Sequence, residues 1–429
     1  MSTVTLDATN ADHCVSAPTS ASIRRRAAGL AEHVGALNAA ALSAGLTAFA
    51  YYTAAGVPLL IAVAGRLGLD AAHTSSWFFI VFFTAGITSV ALSLTYRQPL
   101  PIGWSIPGVV YLGSLAGQFG FPELVGANLM AGALIVVLAL LGLGGRLLAV
   151  LPLPIALGMF GGSLQANLSE LVSSTVDDLA VAGATVAGYL LGRLVGARHV
   201  PPVALAAACG GVATLLAQRA TPTPIAWAPP TLLMPEAQFS APAFLAVSLP
   251  LVVLSVGLGN VQGLGFLLAQ GYRVPADPIT LVMGLQSVVN ALFGGHQAIL
   301  GRAGVAILAS AEAGPPAGRY WGSVIGNGLL VPVAFAATCM ASLLSVLPHA
   351  YLVALAGLAL WPSFQEALTK ALGGWLRLGA TVAFVVAATP FSVGGIPSAC
   401  WALLAGLVVS LVAERGEFRE GRAADGLTR

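Results

Sequence analysis

One stretch of the amino-acid sequence concentrates side chains that could do chemistry. Phe293 to Leu308, FGGHQAILGRAGVAIL, sets His296, Gln297 and Arg302 into an apolar run broken by glycines. Arginine offers five N–H donors in a rigid fork and keeps its charge at physiological pH. In a greasy setting it is therefore an anion ligand or the partner of a carboxylate. Placing one within hydrocarbon costs roughly 2.5 to 3.5 kcal/mol on insertion scales, which makes Arg302 a functional candidate together with its neighbour Gly301. His296 is the one histidine of six that falls in an apolar segment, and it is the candidate for carrying a proton. Gln297 can donate to an anion's oxygen. In Ser255 to Phe266, SVGLGNVQGLGF, Asn260 and Gln262 stand among four glycines. Two positions apart on a helix, they point in different directions, so one of them faces any cavity, and Asn260 is the favoured one. Trp104 and Ser105 lie in PLPIGWSIPGVVYLGSL, Pro99 to Leu115, and Tyr52 lies in FAYYTAAGVP, where the aromatic rings could stack on a flat ligand.

The elements that must hold these residues are membrane helices. Hydrophobic residues make up 57% of the 429 and charged ones only 8%, against roughly 25% charge in an ordinary soluble domain. Apolar runs near the length needed to cross about 30 Å of hydrocarbon recur almost end to end, without the alternation of barrel strands. The fold class is an all-α polytopic membrane protein. Hydropathy and breakers give segments near 34–64, 77–95, 100–116, 124–143, 150–168, 179–195 and 201–217. A proline-rich external linker, 218–242, separates these from 243–270, 278–293, 294–311, 320–346, 350–368, 373–389 and 395–413. The expected count is fourteen spans, seven plus seven, between tails at 1–33 and 414–429. With both tails cytoplasmic, the basic residues collect on the cytoplasmic side, as in membranes generally. The exceptions are Arg66 and Arg219, which fall outside, and Arg302, which falls in no loop. The four cysteines show no metal or redox spacing, and no cofactor is expected. No basic patch interleaved with aromatics suggests nucleic acid, and no nucleophile, base or metal constellation suggests an enzyme.

Two segments differ from the rest. Pro99 to Leu115 starts with alternating prolines, after which Ser105 can cap a helix carrying Pro107 in its first turn. The stretch from 294 has the same shape, a short extended run and then a helix from Arg302. Matching Gly108-Val-Val-Tyr-Leu with Gly304-Val-Ala-Ile-Leu places Ser105 opposite Gly301 and Ile106 opposite Arg302. These are segments 3 and 10, each a short strand plus a half-helix. An odd number of spans per half inverts the second repeat relative to the first (34–217 and 243–413). Paired discontinuous helices in inverted repeats point to a transporter site at the bilayer midplane. Two helix N-termini there, each with free N–H groups and about half a positive charge, make an anion site.

These stretches, with GNVQGLGFLLAQGYRVP, resemble the BenE family of benzoate/proton symporters in order and spacing over roughly residues 34 to 413. The resemblance implies a seven-plus-seven inverted-repeat fold shared with uracil permeases and sulfate-type anion transporters. In such a fold a core domain (34–143 and 243–346) slides against a gate domain (150–217 and 350–413), and the substrate lies between spans three and ten, facing spans one and eight. It implies a plasma (inner) membrane transporter and a possible homodimer. It also implies proton-coupled symport of benzoate or a similar small organic carboxylate by elevator-type alternating access. The sequence departs from the family where Ile299, Leu300, Gly301 and Arg302 follow the F-G-G-H element in place of an asparagine and small residues. That strengthens the anion logic and keeps an inorganic-anion exchanger or channel of the sulfate or bicarbonate type as the alternative. No acidic residue falls at a span centre, so Arg302 has no evident carboxylate partner, and Glu123, Glu312 and Glu366 fall at span ends.

Overall fold

The structure is a computed structural model that describes residues 35–143, 153–195, 202–220, 227–393 and 396–417. The tail at 1–33, most of 414–429, Arg146 and Arg198 lie outside the described residues. In chain order the first half gives α1 (Ala39–Arg66), α2 (Ala71–Tyr96), β1 (Ile102–Trp104), α3 (Ile106–Ser114), α4 (Phe121–Leu140), α5 (Leu153–Asp177), α6 (Ala184–Val195) and α7 (Pro202–Leu216). The second half gives α8 (Ala241–Ala269), α9 (Ala276–Leu292), β2 (Ala298–Leu300), α10 (Arg302–Ala309), α11 (Tyr320–Gly328) and α12 (Leu330–Ala334). It continues with α13 (Ala337–Val346), α14 (His349–Leu372), α15 (Arg377–Ala388), the small hairpin β3 (Ser392–Val393) and β4 (Ile396–Pro397), and α16 (Ser398–Ala413).

Among the described residues five helices are long and apolar enough to cross a bilayer, and up to seven if each bent pair is one span. The five are α1, α2, α4, α8 and α14. The chain bends by 113° between Leu153–Asp177 and Leu179–Val195, and by 72° between Pro316–Ala334 and Ala337–Leu343. Helices α7, α15 and α16 are apolar but shorter. Length and composition therefore give fewer crossings than the fourteen expected from hydropathy.

Local chemistry explains where the helices stop. The Asn38 side chain accepts from Ala41 N at the start of α1, and that of Asp70 accepts from His73 N at the start of α2, each satisfying a donor that has no intrahelical acceptor. α2 ends on Arg97 in the left-handed region, after which Pro99 and Pro101 hold the chain extended. The matching turn from α9 into β2 uses Gly294 at φ +80°, a conformation that costs a β-carbon-bearing residue dearly.

Strands β1 and β2 pair antiparallel, Ile102 with Leu300, Gly103 with Ile299 and Trp104 with Ala298. A two-stranded ribbon has two open edges, and here serines on the preceding helices close them. The Ser89 hydroxyl of α2 donates to Ile102 O and accepts from Ile102 N, both at 2.9 Å. Ser287 of α9 accepts from Ala298 N at 2.9 Å. Both serines are fully buried.

The helices around the ribbon pack into two groups. α5 packs on α14 and α15, and α15 on α16. α1 and α2 pack on α11, and α4 on α9. A seam runs between the groups where α14 meets α1 and α3 meets α5.

Candidate functional site

A cavity of about 140 Å³ opens in that seam beside the ribbon. A single water needs roughly 10–15 Å³ on this scale, so the space suits a small organic ion. Its wall is aromatic and aliphatic: Tyr51, Tyr52, Trp104, Phe160, Leu157, Ile299 and Leu330. The polar lining consists of Gln262, Asn327, Ser363, Arg302 and Glu366. The first turns of both short helices reach it, Ile106 and Pro107 from α3, and Arg302, Ala303 and Gly304 from α10.

The two turns are chemically unequal. In α3 the Ser105 hydroxyl accepts from Gly108 N at 2.9 Å, and Pro107 has no N–H to give. In α10 the cap is Gly301, which brings no side chain, and the first helical bond is Val305 N to Gly301 O. The amides of Arg302, Ala303 and Gly304 therefore lack an intrahelical acceptor, and they carry the positive end of the helix dipole. Close packing brings this turn against α1, since a Cβ on Gly304 would lie 2.1 Å from the Tyr52 hydroxyl.

Four buried polar atoms among the lining residues have no partner among the described residues: Tyr52 OH, Trp104 Nε1, Gln262 Nε2 and Asn327 Oδ1. The Tyr52 hydroxyl lies close enough to Asn327 to interact with it, yet the two complete no hydrogen bond of ordinary geometry with each other, and Asn327 Nδ2 donates to Ser323 O instead. Buried polar groups are nearly always satisfied, so four orphans around one cavity mark a place built to receive polar atoms from elsewhere. The Trp104 ring is held in position by Phe82, with centroids 4.3 Å apart, and by the edge of Tyr52 at 6.3 Å.

Several residues fall differently from the sequence expectation. Arg302 lines the cavity at the first position of α10, but its side chain is 45% exposed, not buried, and it is paired with Glu366 of α14. A span-end position in one dimension says nothing about which neighbouring helix that end meets, and α14 carries Glu366 to the cavity mouth. Glu366 also accepts from Lys370 at 2.5 Å. Asn260 turns away: its Nδ2 donates to Thr280 Oγ1 of α9 at 2.7 Å, and Gln262 faces the cavity instead. The preference for Asn260 is thus reversed. The backbone is π-helical over Val253–Asn260, which adds about a residue per turn and rotates the downstream face away from 3.6-residue expectation.

His296 and Gln297 are fully buried and do not line the cavity. His296 Nδ1 accepts from the Trp77 indole N–H at 2.9 Å. Gln297 Nε2 donates to Asn128 Oδ1 at 2.7 Å, and Asn290 Nδ2 donates to His296 O at 3.0 Å. The F-G-G-H-Q motif is therefore the bracket that fixes β2. Ser105, also fully buried, serves as cap and bonds through its backbone N–H to Gln297 O at 2.9 Å. Tyr52, Trp104, Gly301 and Arg302 are brought together with Gln262 around one cavity. Asn327, Ser363 and Phe160 join them without a signal in the sequence, and Glu366, which reads there as a span end, joins them too.

Apolar helices with two broken, ribbon-linked segments beside a cavity in the seam define the architecture of a membrane transport protein. The comparisons agree on the class. The family model described as "Benzoate membrane transport protein", BenE, matches residues 35–412, and the chain belongs to the BenE family. It is 29% identical over 360 residues to the inner membrane protein YdcO of Escherichia coli, covering 82% of this chain and 91% of that protein. It is 27% identical over 343 residues to the benzoate membrane transport protein of Acinetobacter baylyi, covering 79% and 86%. Among solved structures it is similar to the transmembrane domain of the cyanobacterial bicarbonate transporter BicA, with TM-score 0.54, 16% identity, and 86% of this chain and 97% of that chain covered. It is also similar to the murine solute carrier 26 family member A9 anion transporter in the inward-facing state, with TM-score 0.60, 14% identity, and 95% and 74% covered. The Acinetobacter relative and both solved structures are named as transport proteins, and at such identities the solved structures speak for the fold.

Proposed function

We propose that this chain is a secondary active transporter that carries a small organic carboxylate, benzoate or a close analogue, together with a proton. The observation that carries the reading is the single cavity with four orphaned polar atoms, an uncapped helix start and four aromatic rings. The carboxylate lies against the free amides of α10 and the Arg302 guanidinium, and the flat apolar body lies among Tyr52, Trp104 and Phe160. Gln262 Nε2 and the Trp104 indole N–H are the further donors.

Moving an anion inward against an interior-negative potential is opposed by roughly 2.3 kcal/mol per charge per 100 mV, and a co-transported proton removes that opposition. His296 is sealed behind Trp77, and Arg302 keeps its charge. Glu366 lines the cavity and already holds the guanidinium that the substrate needs, so it is the carboxylate suited to take the proton when the substrate arrives. Alternating access is read as an elevator. The group containing α1 to α4 and α8 to α13 (34–143 and 243–346) moves as a core against the gate (150–217 and 350–413). Fourteen spans in two inverted repeats, cytoplasmic termini, an inner-membrane location and a homodimer complete the reading.

The second reading, an inorganic-anion exchanger or channel, draws on Arg302 and on the bicarbonate transporter among the solved structures. The aromatic walls favour the organic substrate, because bicarbonate and sulfate have no apolar face to bury. Uptake of labelled benzoate into proteoliposomes, with and without an inward proton gradient, separates the two. Accumulation driven by the gradient is expected; transport of bicarbonate or sulfate with none of benzoate refutes the first reading.

A further inference from the structure

The seam holds a second cavity, of about 220 Å³, lined by the opposite ends of the same helices. On α1, Tyr52 and Gly56 face the first cavity, and Val63 and Arg66 the second. On α5 the division falls between Phe160 and Asn167, on α3 between Ile106 and Val110, and on α14 between Glu366 and His349. The walls are apolar and the polar rim is Arg66, Asn167 and His349. Each cavity thus has one arginine paired across the seam with a glutamate, Arg302 with Glu366 at one end and Arg66 with Glu170 at the other.

Asn167 supplies the independent sign of a ligand. It is 9% exposed, and its Oδ1 accepts from Arg66 Nη1. Arginine has no acceptor, so the amide oxygen must face it, and this fixes Nδ2 as the outward donor. That Nδ2 is buried with no partner among the described residues. His349 Nε2 stands 3.6 Å from Glu170 Oε1, on the far side of the carboxylate that Arg66 pairs with. Arg66 is the last residue of α1 and has no part in the first cavity.

We propose that this cavity is a second binding site for a small organic anion, staged at the end of the seam opposite the first site. The ligand's carboxylate takes the place of Glu170 on Arg66 and accepts from Asn167 Nδ2, while its apolar body fills the space between Val63, Val110 and Leu352. The choice of ligand class rests on the reading of the first cavity as an organic-anion site.

Equilibrium binding of labelled benzoate to the full-length protein in detergent tests this. Two sites per chain are expected, falling to one in Arg66→Gln and to one in Arg302→Gln. Arg66→Lys, which keeps a charge, retains both. Glu170→Gln removes the competing carboxylate and tightens the second site about two- to fivefold, the range a partly exposed ion pair is worth. One site in the wild type, unchanged in Arg66→Gln, overturns this proposal and leaves the first cavity standing. Loss of a site in Arg66→Gln but not in Arg302→Gln overturns the first-cavity reading and leaves this one. If Arg66→Gln and Glu170→Gln, both folded by thermal unfolding, shift affinity in the same direction, the pair only shapes the seam and the proposal fails. Absence of benzoate binding overturns both.

Discussion

The difference between Ser105 and Gly301 invites a direct experiment. At the start of α3 a hydroxyl occupies the third amide of the helix; at the start of α10 the equivalent amide, Gly304 N, is free. Gly301 has φ −68° and ψ 124°, which any residue adopts, and a Cβ there would meet only Ile299 atoms at 3.7 and 3.9 Å, ordinary contact. Gly301→Ser therefore fits without strain and places an acceptor on Gly304 N. A serine cap exceeds a glycine cap by only a few tenths of a kcal/mol, so thermal stability should hold or rise slightly. If the substrate carboxylate uses that amide, it loses a hydrogen bond to a charged group worth about 1.5 to 3 kcal/mol. At 1.4 kcal/mol per factor of ten, this weakens apparent affinity about 10- to 100-fold. Initial uptake rates of labelled benzoate into proteoliposomes over a concentration series give the KM, with Gly301→Ala, which adds the β-carbon but no acceptor, as the control. A Gly301→Ser protein that is at least as stable as the wild type and transports with unchanged KM would refute the assignment of the free amides to the substrate.

Arg302→Ala is expected to abolish benzoate uptake while membrane insertion and detergent extraction stay normal; near-wild-type uptake would place the anion elsewhere. Gln262→Leu should raise the KM about tenfold by removing one donor, whereas Asn260→Leu should lower thermal stability with little change in KM, the two readouts being uptake kinetics and thermal unfolding. His296→Leu, which loses the acceptor for the Trp77 indole, should cost stability but keep the proton-gradient dependence of uptake, and Glu366→Gln should lose that dependence. Ser89→Ala leaves the C=O of buried Ile102 without its partner, about 1–3 kcal/mol, and its N–H with Leu100 O alone, and should lower the unfolding midpoint more than loss of a surface serine does.

Much of this site is legible in one dimension because breakers are local signals. Pro99 and Pro101, the glycines at 294 and 295, and the cap at Ser105 specify strand-then-helix units from adjacent residues alone, and Arg302 at the first helical position follows from the same punctuation. Partners distant in sequence are not legible. His296 reads as a proton carrier until Trp77, 219 positions away, is found donating to it, and Gln297 reads as a ligand until Asn128 is found beside it. Glu366 reads as a span end, because hydropathy locates a helix end and not its neighbours. The choice between Asn260 and Gln262 rests on a period of 3.6, which the π-helical run over Val253–Asn260 does not follow. The number of crossings stays with hydropathy and charge, since several helices are too short or too bent to be counted by length.

The ribbon joins residues from the two halves of the chain, so it bears on how the protein is made as well as on what it holds. When β1 leaves the ribosome its mate lies roughly two hundred residues ahead, and closing so long a loop is a late and entropically costly event. In the interval the Ser89 hydroxyl can already serve the amide and carbonyl of Ile102 from within the first half. A nascent chain stalled before β2 would hold a strand shielded by its own helix yet lack the cavity, because half of its lining is still unsynthesised.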